Sequence, residues 1–206
     1  MRYAYRVTSA PSVEPVSLAD AKAHLRVDFG DDDAIIRSLI IAARQQCEER
    51  TRRALITQTH QLILDCFPGA VLEEALIFGG DPILLPRSPV LSVTSIQYVD
   101  DQGDTVTLSA SAYRSDIYSH VPRITPAYGY TWPTTRPVSN AVTVTYQAGY
   151  GPDPDDVPEG IRAAIKIMVG TWYEHREAVV TGTIATPIPM SADYLLRPYV
   201  RAEVLS

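Results

Sequence analysis

The spacing of apolar residues changes twice along the chain, and this pattern constrains the fold more than any other feature. From Ile35 to Cys47, apolar side chains recur every three or four residues, as on one face of an α-helix. Between residues 58 and 147, the chain has short segments rich in β-branched and aromatic residues, which are typical of strands. The helical spacing returns from Ile161 to Trp172. The pattern therefore predicts an α+β protein in which a β-rich segment interrupts a helical one.

Four helices are predicted, near residues 18–26, 33–52 and 158–176, with a short one at 191–197. The residues expected to cap them are Ser17; one of Asp31, Asp32 and Asp33; Asp155 or Asp156 ahead of Pro158; and Ser191. The three consecutive aspartates can alternatively suggest a Mg²⁺ or Ca²⁺ site, but the ligand spacing of an EF-hand loop is absent. We therefore interpret them as the start of the second helix.

The predicted organisation has two parts. Residues 1–57 and 151–206 form a small helical bundle, which carries a C-terminal arm at 178–190. Residues 58–150 form an inserted antiparallel β-rich subdomain.

Two connections within the β-rich segment have distinctive residues. In DDQGDT, Gly103 can adopt a positive φ, so a hairpin turn is predicted there. The sequence from 123 to 137 is rich in proline and aromatic residues and is predicted to be a loop. Its residues Tyr128, Tyr130 and Trp132 are candidates for contacts with another molecule, and equally for packing onto the sheet.

Charge and composition exclude several classes of protein. The 206 residues carry 18 basic and 24 acidic side chains, a net charge of −6, whereas a nucleic-acid-binding protein needs clustered Lys and Arg. The two cysteines, Cys47 and Cys66, fit a reducing compartment and lack the spacing of a metal site. No apolar run reaches the length of a membrane span, and the N-terminal residues lack the apolar region of a secretory signal.

The segment WYEHRE, residues 172–177, is the strongest candidate for an active site. It concentrates reactive side chains, but phosphate-binding, zinc-protease and serine-hydrolase motifs are absent, and the four histidines lack paired ligand spacing. Glu174 and Glu177 can bind a cation, and Glu174 and His175 can act in catalysis. Alternatively, the segment can form the polar end of a structural helix that contacts a partner. We favour the second interpretation, and we expect no enzymatic activity, metal or cofactor.

The order of several motifs resembles the phage head–tail connector (adaptor) family, which is found in tailed phages and gene transfer agents. The motifs that carry the resemblance are PVSLADAKAHLRVDFGDDDAIIRSLIIAARQQCEERTRRALITQTHQL, ILLPRSPVLSVTSIQYVDDQG, VTVTYQAGYG, VPEGIRAAIKIMVGTWYEHRE and LLRPY. They span roughly residues 15–200 in the family's order.

The resemblance implies a structural subunit of the virion at the head–tail interface, assembled in the host cytoplasm. It implies a dodecameric ring under the portal protein, in contact with neighbouring copies and with the next neck, stopper or tail protein. DNA would pass through the channel without specific binding, and no membrane is involved. The alternatives are another neck or tail-completion ring protein and, from a different class, an enzyme using Glu174 and His175.

The residues expected at interfaces lie on the second helix, on the WYEHRE segment and in the C-terminal segment, which in relatives reaches onto the portal. Those for the portal or neighbouring copies are Ile41, Trp172, Tyr173, His175, Arg176, Val179, Val180, Ile184, Ile188, Leu195, Leu196, Arg197 and Tyr199, and those for loop contacts are Tyr128, Tyr130 and Trp132.

Overall fold

A computed structural model describes residues 3–69, 82–175 and 188–201 of the chain. These residues divide into two compact units, which we call the β unit (3–10, 57–69 and 82–149) and the helical unit (11–56, 150–175 and 188–201). The α+β class is confirmed, with helices and antiparallel sheets in one chain.

The helical unit contains four α-helices within its described residues. They are α1 (Leu18–Leu25), α2 (Asp33–Thr51), α3 (Glu159–Glu174) and α4 (Met190–Leu196). Each helix is within two residues of its predicted bounds, because the apolar period sets the extent of a helix more strongly than its caps do. Helix α3 packs against α1, α2 and α4, and the core between the helices is mainly aliphatic.

The helix starts differ from the predicted caps in three places. Ser17 caps α1 as predicted, since its Oγ accepts the Asp20 N–H at 3.0 Å. Asp32 occupies the N-cap position of α2 without a side-chain cap bond. Pro158 stands at the N-cap of α3, because Asp155 and Asp156 belong to a preceding 3-10 turn, and Pro189 rather than Ser191 precedes α4.

The β unit contains a five-stranded and a three-stranded antiparallel sheet. The strands are β1 (Tyr3–Ser9), β2 (Gln58–Leu64), β3 (Ile83–Leu84), β4 (Val90–Val99), β5 (Thr105–Thr107), β6 (Tyr113–Asp116), β7 (Arg123–Pro126) and β8 (Val142–Ala148). The orders are β1-β2-β8-β4-β5 and β3-β7-β6. Gly103, at φ 97°, lies in the turn between β4 and β5, where the hairpin was predicted.

Two strands correct the sequence interpretation. Residues 3–9, expected in the helical part, form β1 and pair with β2, which places the first described residues of the chain in the β unit. Residues 123–126, expected in a loop, form β7 and pair with both β3 and β6. Strand β1 pairs with residues at least 50 positions away, and β7 pairs with the distant β3 as well as the nearby β6. A short strand is defined more by its partners than by its own residues.

Side chains alternate between two environments across the large sheet. Leu62, Val144 and Ile96 are opposite one another in the register and are fully buried. Gln61, Thr145 and Ser95 form the adjacent row on the other face of the sheet. One face of this sheet therefore forms the core of the β unit, and the other is polar.

Across the described ranges, none of the helices is both long and apolar enough to cross a membrane.

Candidate assembly surfaces

The aromatic half of WYEHRE is part of the helical core. Trp172 and Tyr173 lie in the last turn of α3 and pack, partly buried, against the buried residues of the helical unit. The Tyr173 hydroxyl donates a hydrogen bond to Asp32 Oδ2 at 2.5 Å. This bond joins the last turn of α3 to the residue at the N-cap position of α2.

Glu174 and His175, the described polar residues of the segment, are exposed. Glu174 ends α3, and the His175 N–H donates to the Thr171 carbonyl at 3.1 Å, so His175 is the C-cap. Arg176 lies outside the described residues. Within 3–69, 82–175 and 188–201, the structure brings together no group of three or more His, Cys, Asp or Glu side chains that could hold a metal ion.

One side of α2 is exposed, and over residues 34–45 it is almost uncharged, whereas Glu49 continues the same side further along the helix. We call this surface the outer face of α2, and it consists of Ala34, Ile35, Arg37, Ser38, Ile41, Ala42 and Gln45. Ile35 and Ile41 are 43% and 41% exposed, and Arg37 is the only charged residue of the seven. An exposed helix face normally carries several charges, so this face has the composition of a contact surface.

The C-terminal segment is tied to the helical core. Leu196 is fully buried, so it has no surface to offer a partner, while Leu195 and Ile188 pack against the core and are partly buried. Tyr199 lies against Gly160, where a Cβ atom would be 3.2 Å from the tyrosine hydroxyl oxygen. Because of this contact, a larger residue at position 160 would displace the ring of Tyr199.

Polar contacts also hold this segment on α2. Arg50 Nε donates to Asp193 Oδ1 at 2.8 Å, and this bond lowers the pKa of the Asp193 carboxyl. Arg53 Nε donates to the Tyr199 carbonyl at 2.8 Å. The Arg197 guanidinium lies 4.2 Å from the centre of the Tyr194 ring, and this pair is on the surface. The remaining predicted residues of the arm, Val179, Val180 and Ile184, are outside the described part of the chain.

The aromatic loop divides into two kinds of residue. Tyr128 is fully exposed and Tyr130 is 53% exposed. Trp132 instead stacks on Phe67 with ring centres 4.9 Å apart and an interplanar angle of 5°. Both interpretations of this loop therefore describe part of it, with the tyrosines available for contacts and the tryptophan packed.

Several exposed apolar side chains were missed by the sequence interpretation. Phe29, Tyr118, Met190 and Tyr194 are 49%, 95%, 76% and 58% exposed. Each is an isolated apolar residue in a turn, at a helix start or on a very short helix, where no periodicity indicates which side faces solvent.

The comparisons with known proteins agree with the sequence resemblance. The family described as phage gp6-like head–tail connector protein matches residues 15–96, which extend from the start of the helical unit into β4. A search of curated proteins finds no match.

Chains of solved gene transfer agent particles have a similar fold. A chain from the neck of an empty gene transfer agent (GTA) particle, computed with C6 symmetry, is 26% identical with a TM-score of 0.77, over 98% of this chain and 97% of that chain. A chain from the virion of a native GTA particle is 25% identical with a TM-score of 0.76, over the same shares. A third, from the neck of a native GTA particle computed with C12 symmetry, is 24% identical with a TM-score of 0.71 over 98% and 97%, and it shows likeness of fold.

Proposed function

Residues 15–96 match the phage gp6-like head–tail connector family, and on this basis we propose that the chain belongs to that family and is a structural connector subunit of the virion. In this proposal it forms a ring under the portal and joins the DNA-filled head to the neck and tail of a phage or a gene transfer agent particle. The role is mechanical and involves no catalysis.

One observation supports the proposal above the others. The similarity to the chain in the neck of the empty GTA particle extends over 98% of this chain and 97% of that one. It therefore includes both the helical unit and the β unit, beyond the residues that match the family. A protein that shared only a helical domain with connectors would not match a neck chain from end to end.

The ring is proposed to contain twelve copies. A closed ring with one kind of junction needs two different patches on each copy, which meet head to tail. The outer face of α2 is the patch that we propose in the helical unit, because Ile35 and Ile41 expose apolar surface with Arg37 as the only charge. The rotational symmetry of the similar neck supports a ring, since that neck was computed with C6 symmetry.

The C-terminal side of the helical unit is proposed to contact the portal. Leu195, Arg197 and Tyr199 lie at the end of the described chain, and Arg197 with Tyr194 forms its exposed part. Trp172, Tyr173 and His175 lie at the opposite end of α3 from Gly160, which Tyr199 contacts, and they are proposed to contact the portal or a neighbouring copy. The residues 176–187 that follow are proposed to take part in the same contact.

The opposite partner is proposed to be the next neck, stopper or tail protein, with Tyr128 and Tyr130 as candidate contacts. DNA passes through the channel without specific binding, because a chain with a net charge of −6 has no excess of positive side chains to neutralise the phosphates.

The test combines localisation with a surface variant. Electron microscopy of the chain mixed with purified portal should show a twelvefold ring stacked on the portal, and a ring at another position in the neck would favour a different neck or tail-completion protein.

Ile41→Glu should give heads without tails, because it places a charge on the outer face of α2. Val13→Glu is the matched control, since Val13 is 40% exposed in the same unit but lies outside that face.

The enzymatic alternative is tested by His175→Ala. His175 is exposed at the end of α3, so the substitution should leave the fold intact. Particles that assemble normally but lose a chemical activity would support an enzyme and contradict the structural role.

A further inference from the structure

Strand β1 forms an exposed border of the large sheet. Among the described strands it pairs with β2 alone, and six of its seven residues are exposed, with Val7 at 45%. Native proteins usually protect such borders with proline, lysine or inward-pointing charges, because an open border is a template for another strand. Strand β1 has no proline, and its one charged side chain, Arg6, donates to Gln61 Oε1 from Nε at 2.9 Å and from Nη2 at 2.7 Å.

A second, different border lies at β4. This strand pairs with β8 along its length, but it pairs with β5 only over Gln97–Val99. Leu91 is 41% exposed, and Ser92 and Thr94 beside it are exposed too. The register against β8 shifts at Leu91 and Thr94. Such bulges can protect a border, but here they leave Leu91, Ser92 and Thr94 exposed and uncharged. None of the ten residues of β4 is charged.

We propose that neighbouring copies of this chain join strand to strand, with β1 of one copy alongside residues 90–95 of β4 in the next. The inference rests on the proposed ring and assigns its junction in the β unit. A head-to-tail ring needs two different complementary borders, and one sheet here presents both. Strand addition at such borders is a common mode of protein recognition, in which backbone hydrogen bonds supply affinity.

The two borders also match in length and charge. At about 3.4 Å per residue, both β1 and residues 90–95 extend for about 20 Å. Between them, the two borders carry one charged side chain, Arg6, so neighbouring copies meet there without charge repulsion.

The test is a thiol crosslink between copies within assembled particles. The full chain carries Val7→Cys and Leu91→Cys in a Cys66→Ser background, because Cys66 is exposed whereas Cys47 is buried. A bifunctional thiol reagent of about 8 Å reaches direct and diagonal neighbours on paired strands. We expect a ladder of crosslinked copies extending to the full ring. Val7→Cys alone and Leu91→Cys alone should give no ladder, because β1 of one copy lies beside β4 of the next copy and two copies of the same strand do not meet.

A matched control and the remaining outcomes separate this inference from the proposed function. Val7→Cys with Val138→Cys should give no ladder, since Val138 is 41% exposed in the same unit but outside both borders. Tailed particles that contain the chain but show no Val7–Leu91 ladder would overturn the strand junction and leave the connector role standing. A crosslink from Val7→Cys to a different protein, or between two Val7→Cys copies, would overturn it as well. A chain absent from the head–tail joint would overturn both.

Discussion

Both units contain buried basic side chains, and Arg44 of the helical unit and His60 of the β unit are accommodated in opposite ways. In the helical unit, Arg44 is 6% exposed and remains charged, with Nε 2.7 Å from Glu14 and Nη1 2.8 Å from Glu48. In the β unit, His60 is 1% exposed and has no carboxylate partner among the described residues. Arginine cannot lose its proton in a protein, so its charge must be paired, whereas histidine can become neutral.

The surroundings of His60 favour its neutral form. Its ring stacks between Tyr5 and Tyr146, with both ring-centre distances at 5.3 Å, and its Nδ1 is 2.5 Å from the Tyr5 hydroxyl. Burial and the nearby positive charge of Arg87 lower the pKa of His60 to about 4. The stability of the helical unit should therefore be sensitive to removal of a charge partner, and that of the β unit to acid.

Removing one partner of Arg44 should have the largest effect. Glu48→Ala deletes a carboxylate that also accepts the Leu55 N–H at 3.0 Å, and loss of a buried partner should lower the free energy of unfolding of the helical unit by about 3 kcal/mol. Urea unfolding can be followed by Trp172 fluorescence in a Trp132→Phe background, because each unit contains one of the two tryptophans.

The neighbouring glutamate supplies the control for this prediction. Glu49 is 55% exposed and pairs with Arg52 on the surface of α2, so Glu49→Ala should change the free energy of unfolding by less than about 0.5 kcal/mol. Equal effects of Glu48→Ala and Glu49→Ala would mean that the stability of the helical unit does not depend on the pairing of Arg44 with Glu48.

Acid should destabilise the β unit. The pKa of His60 is about 4 in the folded chain and near its ordinary value of 6.5 in the unfolded chain, so the unfolded state binds more protons between these values. The stability contributed by neutral His60 is complete above pH 6.5 and is lost as the pH falls towards 4, by roughly 3 kcal/mol. Unfolding curves at pH 7.5 and 4.5, read from Trp132 in a Trp172→Phe background, measure this loss.

Two histidine variants check the assignment. His60→Phe keeps a ring between the two tyrosines and should flatten the pH dependence. His120→Gln, at an exposed histidine of the same unit, should leave it unchanged. A pH dependence that persists in His60→Phe would contradict the role given to His60.

The helices could be predicted from the sequence because their signals are local. The apolar residues from Ile35 to Cys47 and from Ile161 to Trp172 repeat at helical spacing. The bounds of both helices lie within two residues of the predicted ones. Strand β1 has an alternating row, Tyr3, Tyr5 and Val7, but becomes a strand by pairing with residues 59–64. Strand β7 is four residues long and ends at Pro126, so its own residues carry little strand signal.

The candidate surfaces could be predicted only where a helix is long enough to define its faces. On the 19-residue helix α2, the spacing placed Ile41 outside the core stripe, and it is 41% exposed. The same spacing was wrong for Ile35, which it placed in the stripe but which is 43% exposed, and for Arg44, which it placed outside the stripe but which is buried. On the seven-residue helix α4 no spacing separated Leu196, which is buried, from Tyr194, which is exposed. The buried pairing of Arg44 and the stacking of His60 depend on contacts across the fold, which no sequence pattern shows.

Each unit contains a tyrosine whose hydroxyl is hydrogen-bonded within the unit, and in the helical unit the acceptor is charged. Tyr173→Phe removes the bond from its hydroxyl to the carboxylate of Asp32, and bonds to charged groups are the stronger kind. We expect the free energy of unfolding of the helical unit to fall by about 2 kcal/mol. Tyr194→Phe, at a tyrosine that is 58% exposed in the same unit, should have little effect in the same urea experiment.

The smallest effect is expected from the matching bond in the β unit. Tyr5→Phe removes the hydroxyl beside His60 Nδ1 but keeps the ring stacked on His60, with Arg87 5.4 Å from the ring centre. Because the imidazole is neutral, the loss should be about 1 kcal/mol in the urea experiment that follows Trp132 at pH 7.5. A loss larger than that of Tyr173→Phe would contradict the comparison, since it would mean that the neutral group in the β unit depends more on its hydrogen bond than the charged group in the helical unit does.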